Sequence, residues 1–177
     1  MIKNIVITGA PGTGKTSIIN ELKKKKYNCY NEVSRKIISD QIDSKGDILP
    51  WKNLLKFSEK VFKIRKSQLL ESNNQLCFFD RGIIDVYAYM EVEKLKIAQK
   101  YYNDCLKYRY NKNVFYTPIW EKIYQKDKQR KESINQAKLI ESHIINSYKN
   151  FGYTLIKIPK KNINERVNFI LSNISTL

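Results

Sequence analysis

The chain has 177 residues, of which 42% are hydrophobic and 28% charged, a balance that argues against intrinsic disorder and suits one globular domain spanning residues 1–177. No apolar run approaches the roughly 18 residues that a membrane span requires. The three cysteines have no C-x-x-C spacing, which argues against a disulfide scaffold or a zinc site. The net charge of +16 fits either solvated lysines or a basic face for nucleic acid or anionic lipid, and no motif supports a nucleic-acid partner.

Apolar runs and helical periodicities alternate along the whole chain. Strands are predicted over residues 2–7, 28–31, 76–79, 113–116 and 153–158. Helices are predicted over residues 16–26, 33–42, 51–69, 83–108, 134–151 and 163–174. This order predicts a parallel sheet covered by helices on both faces. The first apolar run leads directly into a glycine loop, so it indicates a strand rather than a signal peptide, and we expect a cytoplasmic protein.

A glycine-rich loop joins the first strand to the first helix. Residues 9–16 read Gly-Ala-Pro-Gly-Thr-Gly-Lys-Thr and satisfy the P-loop pattern G-x-x-x-x-G-K-[ST]. In such a loop the backbone N–H groups surround the phosphates of a nucleotide, Lys15 bridges the β- and γ-phosphates, and the Thr16 hydroxyl binds Mg²⁺. The alternative is a plain glycine turn. The predicted nucleotide contacts are Gly9, Ala10, Pro11, Gly12, Thr13, Gly14, Lys15, Thr16 and Ser17.

The run Leu76–Asp80 is an apolar strand that ends in a carboxylate, as a Walker B strand does. Asp80 is therefore predicted to hold Mg²⁺ at the carboxyl edge of the sheet, with a helix N-cap as the alternative. The next residue is Arg81, where water-activating P-loop ATPases commonly carry Glu. An arginine suits phosphate binding rather than water activation.

Two further polar segments follow predicted strands. Glu32 is a candidate general base for a substrate hydroxyl, and Arg35 is a candidate ligand of a substrate phosphate. A helix cap and a surface ion pair explain the same spacing. The basic segment 126–132 could close over the transferring phosphate as a lid through Arg130 or Lys126, or it could be a solvated helix.

These segments, in this order, resemble the P-loop family AAA_28, and in particular the ribosylnicotinamide kinase-like domain of NadR. A more distant similarity is to deoxynucleoside and thymidylate kinases. The resemblance is carried by residues 9–16, 32–35, 80–85, 118–124 and 127–132. It implies a three-layer α/β/α sandwich with a five-stranded parallel sheet in the order 2-3-1-4-5.

The resemblance also implies roles for individual residues. Glu32 would face the acceptor hydroxyl, Arg81 would match the arginine of a D-R-x motif with Asp85 beside the substrate, and Arg130 would match a lid arginine. Adenine would lie between the lid and the loop near Pro159. The chain departs from the deoxynucleoside kinases directly after Glu32, where they usually carry Pro, so their substrate pocket is not transferred.

The residues and the resemblance together predict a kinase that moves the γ-phosphate of ATP to a nucleoside- or nucleotide-like acceptor, with Mg²⁺ as the metal. ATP is favoured over GTP by the resemblance, and no N-K-x-D segment for reading guanine is present. The alternative is a regulatory ATPase or GTPase whose basic surface engages nucleic acid, anionic lipid or a protein.

Overall fold

A computed structural model describes residues 3–72, 75–123 and 133–175. Its strands are β1 (Asn4–Thr8), β2 (Asn28–Tyr30), β3 (Cys77–Asp80), β4 (Asn113–Tyr116) and β5 (Thr154–Lys157). They form one five-stranded sheet in the order β2-β3-β1-β4-β5, with every neighbouring pair parallel. The predicted strand order 2-3-1-4-5 is confirmed.

Seven α-helices and one short 3₁₀ helix occupy the described residues. They are α1 (Lys15–Lys24), α2 (Ser34–Asp43), α3 (Leu54–Glu71), α4 (Ile83–Val92), α5 (Gln99–Lys107), a 3₁₀ helix (Glu121–Ile123), α6 (Ile134–Asn150) and α7 (Ile163–Ser175). None of these helices is long and apolar enough to cross a membrane.

The strands are apolar on both faces because each face is covered by helices. One face packs against α1 and α7 through Ile5, Ile7, Phe78 and Phe115. The other face packs against α3, α4 and α6 through Val6, Phe79 and Val114. This arrangement is the predicted three-layer sandwich.

The prediction of one helix over residues 83–108 is wrong, because α4 ends at Val92 and α5 begins at Gln99. Lys94 adopts a left-handed conformation with φ of 52°. Its N–H donates to Glu91 O and the next N–H, of Leu95, donates to Met90 O, which is the Schellman pattern of a helix end. Glycine normally occupies that left-handed position. Because the residue here is a lysine, the sequence carries no sign that the helix ends.

Candidate active site

The P-loop leaves β1 at the centre of the sheet and enters α1. Gly9 and Gly14 have positive φ values of 137° and 84°. At Gly9 a Cβ atom would lie 2.4 Å from Thr117 O, so no larger residue fits there. The Thr13 hydroxyl bonds to Ala10 O at 2.9 Å and to the Thr117 hydroxyl at 2.5 Å, which ties the loop to the end of β4.

The first turn of α1 presents main-chain donors to the space inside the loop. The first bond into the helix runs from Ile18 N to Gly14 O. The N–H groups of Lys15, Thr16 and Ser17 precede that bond, so they have no intrahelical acceptor and carry the positive end of the helix dipole. Thr16 and Ser17 are exposed. This geometry is suited to a polyphosphate.

The Lys15 ammonium group lies inside the loop, where it donates to Gly9 O at 3.0 Å and to Ala10 O at 2.6 Å. Lys15 is buried, and that burial, together with the charge of Arg81, lowers its pKa to about 7. A negative ligand beside the ammonium group would favour its charged form.

Thr16 and Asp80 meet across the P-loop and the end of β3. The Thr16 hydroxyl donates to Asp80 Oδ2 at 3.1 Å. The other carboxylate oxygen, Oδ1, is buried and accepts no hydrogen bond from the residues that the structure describes. Burial raises the pKa of Asp80, and the neighbouring cations Lys15 and Arg81 oppose this effect. The Thr16 hydroxyl and the Asp80 carboxylate, whose Oδ1 atom accepts no hydrogen bond from the described residues, suit Mg²⁺, which prefers oxygen ligands and keeps several waters.

Glu32 follows β2 and is linked to Asp80 through an arginine that the sequence analysis assigned to no site. Arg65, on α3, donates from Nη2 to Glu32 Oε1 at 3.0 Å and from Nη1 to Asp80 O at 2.7 Å. The Glu32 carboxylate also accepts from Ser34 N at 2.9 Å, at the first residue of α2. The ion pair of Glu32 is thus with the buried Arg65, and the role of Glu32 as a general base stays a prediction.

The charge state of Glu32 results from opposing effects. Burial alone would raise its pKa, but the charges of Arg65 and Arg81 and the bond from Ser34 N outweigh burial and lower the pKa to about 2. The Glu32 side chain keeps 18% of its surface exposed, against 2% for Arg65. A carboxylate that is ionised and still reachable can accept a hydrogen bond from a substrate hydroxyl.

Asp85, in the first turn of α4, is a buried hub between three parts of the fold. Its Oδ1 atom accepts from the Thr8 hydroxyl at 2.5 Å and from Arg81 Nη1 at 3.0 Å. Its Oδ2 atom accepts from Gly82 N at 2.8 Å and from the Tyr148 hydroxyl at 2.7 Å. Asp85 is 1% exposed and pairs with Arg81, and its expected place beside a substrate stays a prediction.

Arg81 has a left-handed backbone with φ of 75°, a costly conformation for a side chain of this size. The residue is 8% exposed, and its N–H donates to Ile7 O at 3.1 Å. The charge of Arg81 affects the pKa values of Lys15, Asp80 and Glu32, so Arg81 lies close to these three predicted site residues.

The other predicted site residues lie nearer the rim or outside the described ranges. Arg35 is exposed on α2, and its N–H donates to Glu32 Oε2 at 3.2 Å. Pro159 is half-buried just after β5, at the carboxyl edge of the sheet. Arg130 and the predicted lid segment 126–132 lie outside the described residues.

The sequence analysis assigned no site role to Arg65, Tyr148 or Arg166. Arg65 lies on the apolar stripe of α3, between Val61 and Leu69, and an arginine at a core position was a usable signal. Arg166, on α7, is 4% exposed and donates from Nη2 to Thr13 O at 3.0 Å. No local pattern marks Tyr148 or Arg166, because their partners are remote in sequence.

The P-loop, the Thr16–Asp80 pair and the doubly wound sheet define a P-loop protein with a nucleoside- or nucleotide-kinase-like fold. The model of the AAA_28 family, described as an AAA domain, matches residues 4–166, and the chain belongs to this family. No curated protein matches the chain in sequence.

Solved structures with the same fold include several kinases. Deoxyadenosine kinase from M. mycoides with the product dCMP has a TM-score of 0.70 at 17% identity, over 98% of this chain and 100% of that one. NadR in complex with NR has a TM-score of 0.72 at 12% identity, over 99% of this chain and 50% of NadR. Thymidylate kinase from Candida albicans has a TM-score of 0.64 at 17% identity, over 98% of this chain and 91% of that one. At these identities the likeness concerns the fold alone.

Proposed function

We propose that the protein is a small-molecule kinase that transfers the γ-phosphate of ATP to a hydroxyl of a nucleoside- or nucleotide-like acceptor. The observation that carries this proposal is the chain of contacts from Thr16 through Asp80 and Arg65 to Glu32. It connects residues suited to Mg²⁺ with an ionised carboxylate just after β2, the strand next to β3. The kinases with the same fold act on small molecules, which supports the proposal.

The P-loop would hold the donor. The amides of the loop and of the first turn of α1 would bind the β-phosphate, and the Lys15 ammonium would turn from Gly9 O and Ala10 O to the β- and γ-phosphates. Thr16 and Asp80 would hold Mg²⁺, directly or through water. When bound, the ion neutralises charge on the phosphate oxygens.

Glu32 would position the acceptor. With a pKa of about 2, it is a weak base that accepts a hydrogen bond from the acceptor hydroxyl and orients its oxygen towards the γ-phosphorus. As the new O–P bond forms and the bond to the β-phosphate oxygen breaks, the hydroxyl becomes acidic and its proton passes to Glu32. Arg81 would stabilise negative charge on the transferring group.

Three assignments complete the proposal. Arg130, from the segment outside the described residues, would act as the lid arginine. Adenine would pack near Pro159, and Arg35, at the N-terminal end of α2, would contact the acceptor. A cytoplasmic location suits a small-molecule kinase of this type.

The test follows labelled ATP in the presence of Mg²⁺ and separate pools of nucleosides, nucleotides and RNA. We expect label on one acceptor, and no transfer by Lys15→Ala. Release of label only as free phosphate, faster with RNA or another macromolecule, would contradict the kinase proposal and favour the regulatory NTPase.

A second experiment tests the role of Glu32. Glu32→Gln should bind ATP normally and lose about 100-fold or more in acceptor phosphorylation, because the amide cannot take the proton. Glu59→Gln is a matched control. Glu59 lies on α3 outside the site, and its carboxylate accepts a hydrogen bond from the Tyr101 hydroxyl at 2.9 Å. Normal turnover by Glu32→Gln would remove Glu32 from the mechanism.

A further inference from the structure

A buried arginine contacts the P-loop from its outer side. Arg166 lies in the first turns of α7, which packs against α1 through Val167 and Ile170. Its Nη2 atom donates to Thr13 O at 3.0 Å. Its Nη1 atom lies over Gly14, where a Cβ atom would come within 2.8 Å of it.

The charge of Arg166 is poorly compensated by the part of the chain that the structure describes. None of the ion pairs found there includes Arg166. Its Nε atom is buried and has no hydrogen-bond partner among those residues. Burial lowers the pKa of Arg166, which is the mark of a charge that loses water without gaining a carboxylate. Such a charge is costly unless another group offsets it.

The peptide bond between Thr13 and Gly14 connects Arg166 with the inside of the loop. In a trans peptide the C=O and the following N–H point in opposite directions, and the chain contains no cis peptide among its described residues. Thr13 O points outward to the guanidinium group. Gly14 N–H therefore points the other way, towards the phosphates that the loop would hold. A charged donor on the carbonyl polarises the peptide and strengthens its N–H as a donor.

We propose that Arg166 is a positioning residue for polyphosphate: it fixes the Thr13–Gly14 peptide from behind and supplies a positive charge that the β-phosphate of a bound nucleotide offsets. The ligand class is a nucleoside di- or triphosphate, or pyrophosphate itself. This inference rests on the nucleotide-binding part of the proposed function and is independent of phosphoryl transfer.

The test compares Arg166→Met, which keeps an unbranched apolar stem and removes the charge, with Arg166→Lys, which keeps the charge and loses the planar fork. Arg109→Met is the matched control, because Arg109 also donates to main-chain carbonyls, Cys105 O and Phe151 O, away from the loop. Binding of ADP and of pyrophosphate is measured by calorimetry in the presence of Mg²⁺. Binding of AMP is measured by its competition with a fluorescent ADP analogue. Thermal unfolding of each free protein is recorded alongside.

For Arg166→Met we expect the Kd of ADP and of pyrophosphate to rise about tenfold or more, while that of AMP, which lacks a β-phosphate, does not change. Arg166→Lys should recover part of the loss. The free Arg166→Met protein should unfold at the same or a higher temperature than the parent, because it lacks a buried charge that has no ion pair among the described residues. Arg109→Met should unfold at a lower temperature and bind all three ligands normally.

Unchanged binding of ADP and pyrophosphate by Arg166→Met would overturn the inference. An equal loss for AMP and ADP together with a lower unfolding temperature would also overturn it, since a purely structural role predicts that result. If the parent binds ADP but transfers no phosphate, the kinase proposal fails while the comparison of variants still decides the role of Arg166. If the parent binds neither ADP nor pyrophosphate, both proposals fail.

Discussion

At Glu32, burial and charge act in opposite directions on one carboxyl group. Burial favours the neutral acid, and the adjacent Arg65 and Arg81 favour the carboxylate strongly enough to bring the pKa to about 2. The ordinary value is 4.5. Glu32 is therefore ionised over the whole range in which a kinase operates, and an acid limb in the rate near pH 4.5 should not come from this residue.

The same pKa shift predicts how stability depends on pH. Because the folded-state pKa lies below the unfolded value, the contribution of Glu32 is fully present above pH 4.5 and is lost as the pH falls towards 2. Glu32→Gln should lower the free energy of unfolding by about 3 kcal/mol at pH 7, and by less at pH 3. Urea unfolding of both proteins at the two pH values measures this. An equal difference at both values would mean that the Glu32–Arg65 pair is not the cause.

A buried arginine in the apolar stripe of a helix is a feature that sequence can disclose. The spacing of α3 puts Arg65 in line with Val61 and Leu69, so its burial was predictable. Its acceptors were not predictable, because Glu32 follows β2 and Asp80 ends β3, and both meet Arg65 only when α3 packs on the sheet.

Among the elements, α6 has a direct connection to the site. Its Tyr148 donates to Asp85 Oδ2, and Asp85 in turn accepts from Arg81. The Gly82 backbone packs closely against Tyr148, since a Cβ atom on residue 82 would lie 2.9 Å from the Tyr148 hydroxyl oxygen. The helix that follows segment 126–132 in the chain thus contacts the carboxylate that pairs with Arg81.

This contact predicts the effect of Tyr148→Phe. Removing the hydroxyl takes one of four hydrogen bonds from a buried carboxylate, so we expect a loss of about 1–2 kcal/mol in the free energy of unfolding. If Asp85 orients Arg81, kcat should fall while the Kd of ATP is unchanged. Steady-state kinetics and ATP titration measure the two quantities.

Tyr153→Phe is the control for this prediction. Its hydroxyl is also buried and accepts from Tyr110 N at 3.2 Å, but it does not contact Asp85. We expect Tyr153→Phe to lose about as much free energy of unfolding as Tyr148→Phe and to keep a normal kcat. Equal effects of the two variants on kcat would show that Tyr148 acts through general packing and not through Arg81.

The break between α4 and α5 illustrates where periodicity misleads. Apolar and aromatic residues continue at helical spacing through residues 83–108, and the helix end at Lys94 lacks the glycine that usually marks it. The turn forms because the main chain closes its own Schellman hydrogen bonds, and those are independent of the side chain.

For the whole molecule, binding and folding are linked at the P-loop. A ligand that binds only the folded state stabilises it, so MgADP at about 100 times its Kd should raise the free energy of unfolding by about 2.7 kcal/mol. Lys15→Ala should show much less stabilisation at the same concentration. Denaturant titration with and without MgADP tests this, and equal stabilisation of both proteins would place the nucleotide away from the P-loop.

The sequence by itself determined the class of fold and the P-loop. The apolar strands, the helical periods and the pattern over residues 9–16 are local, and parallel strands necessarily bring their carboxyl ends, with Asp80 and Glu32, to one edge. Tertiary structure alone decided which groups those side chains contact. Arg65 pairs with Glu32, Asp85 accepts from Arg81 and Tyr148, and Arg166 contacts the P-loop from outside. These contacts join residues far apart in the chain, and their chemistry depends on burial, which no local pattern specifies.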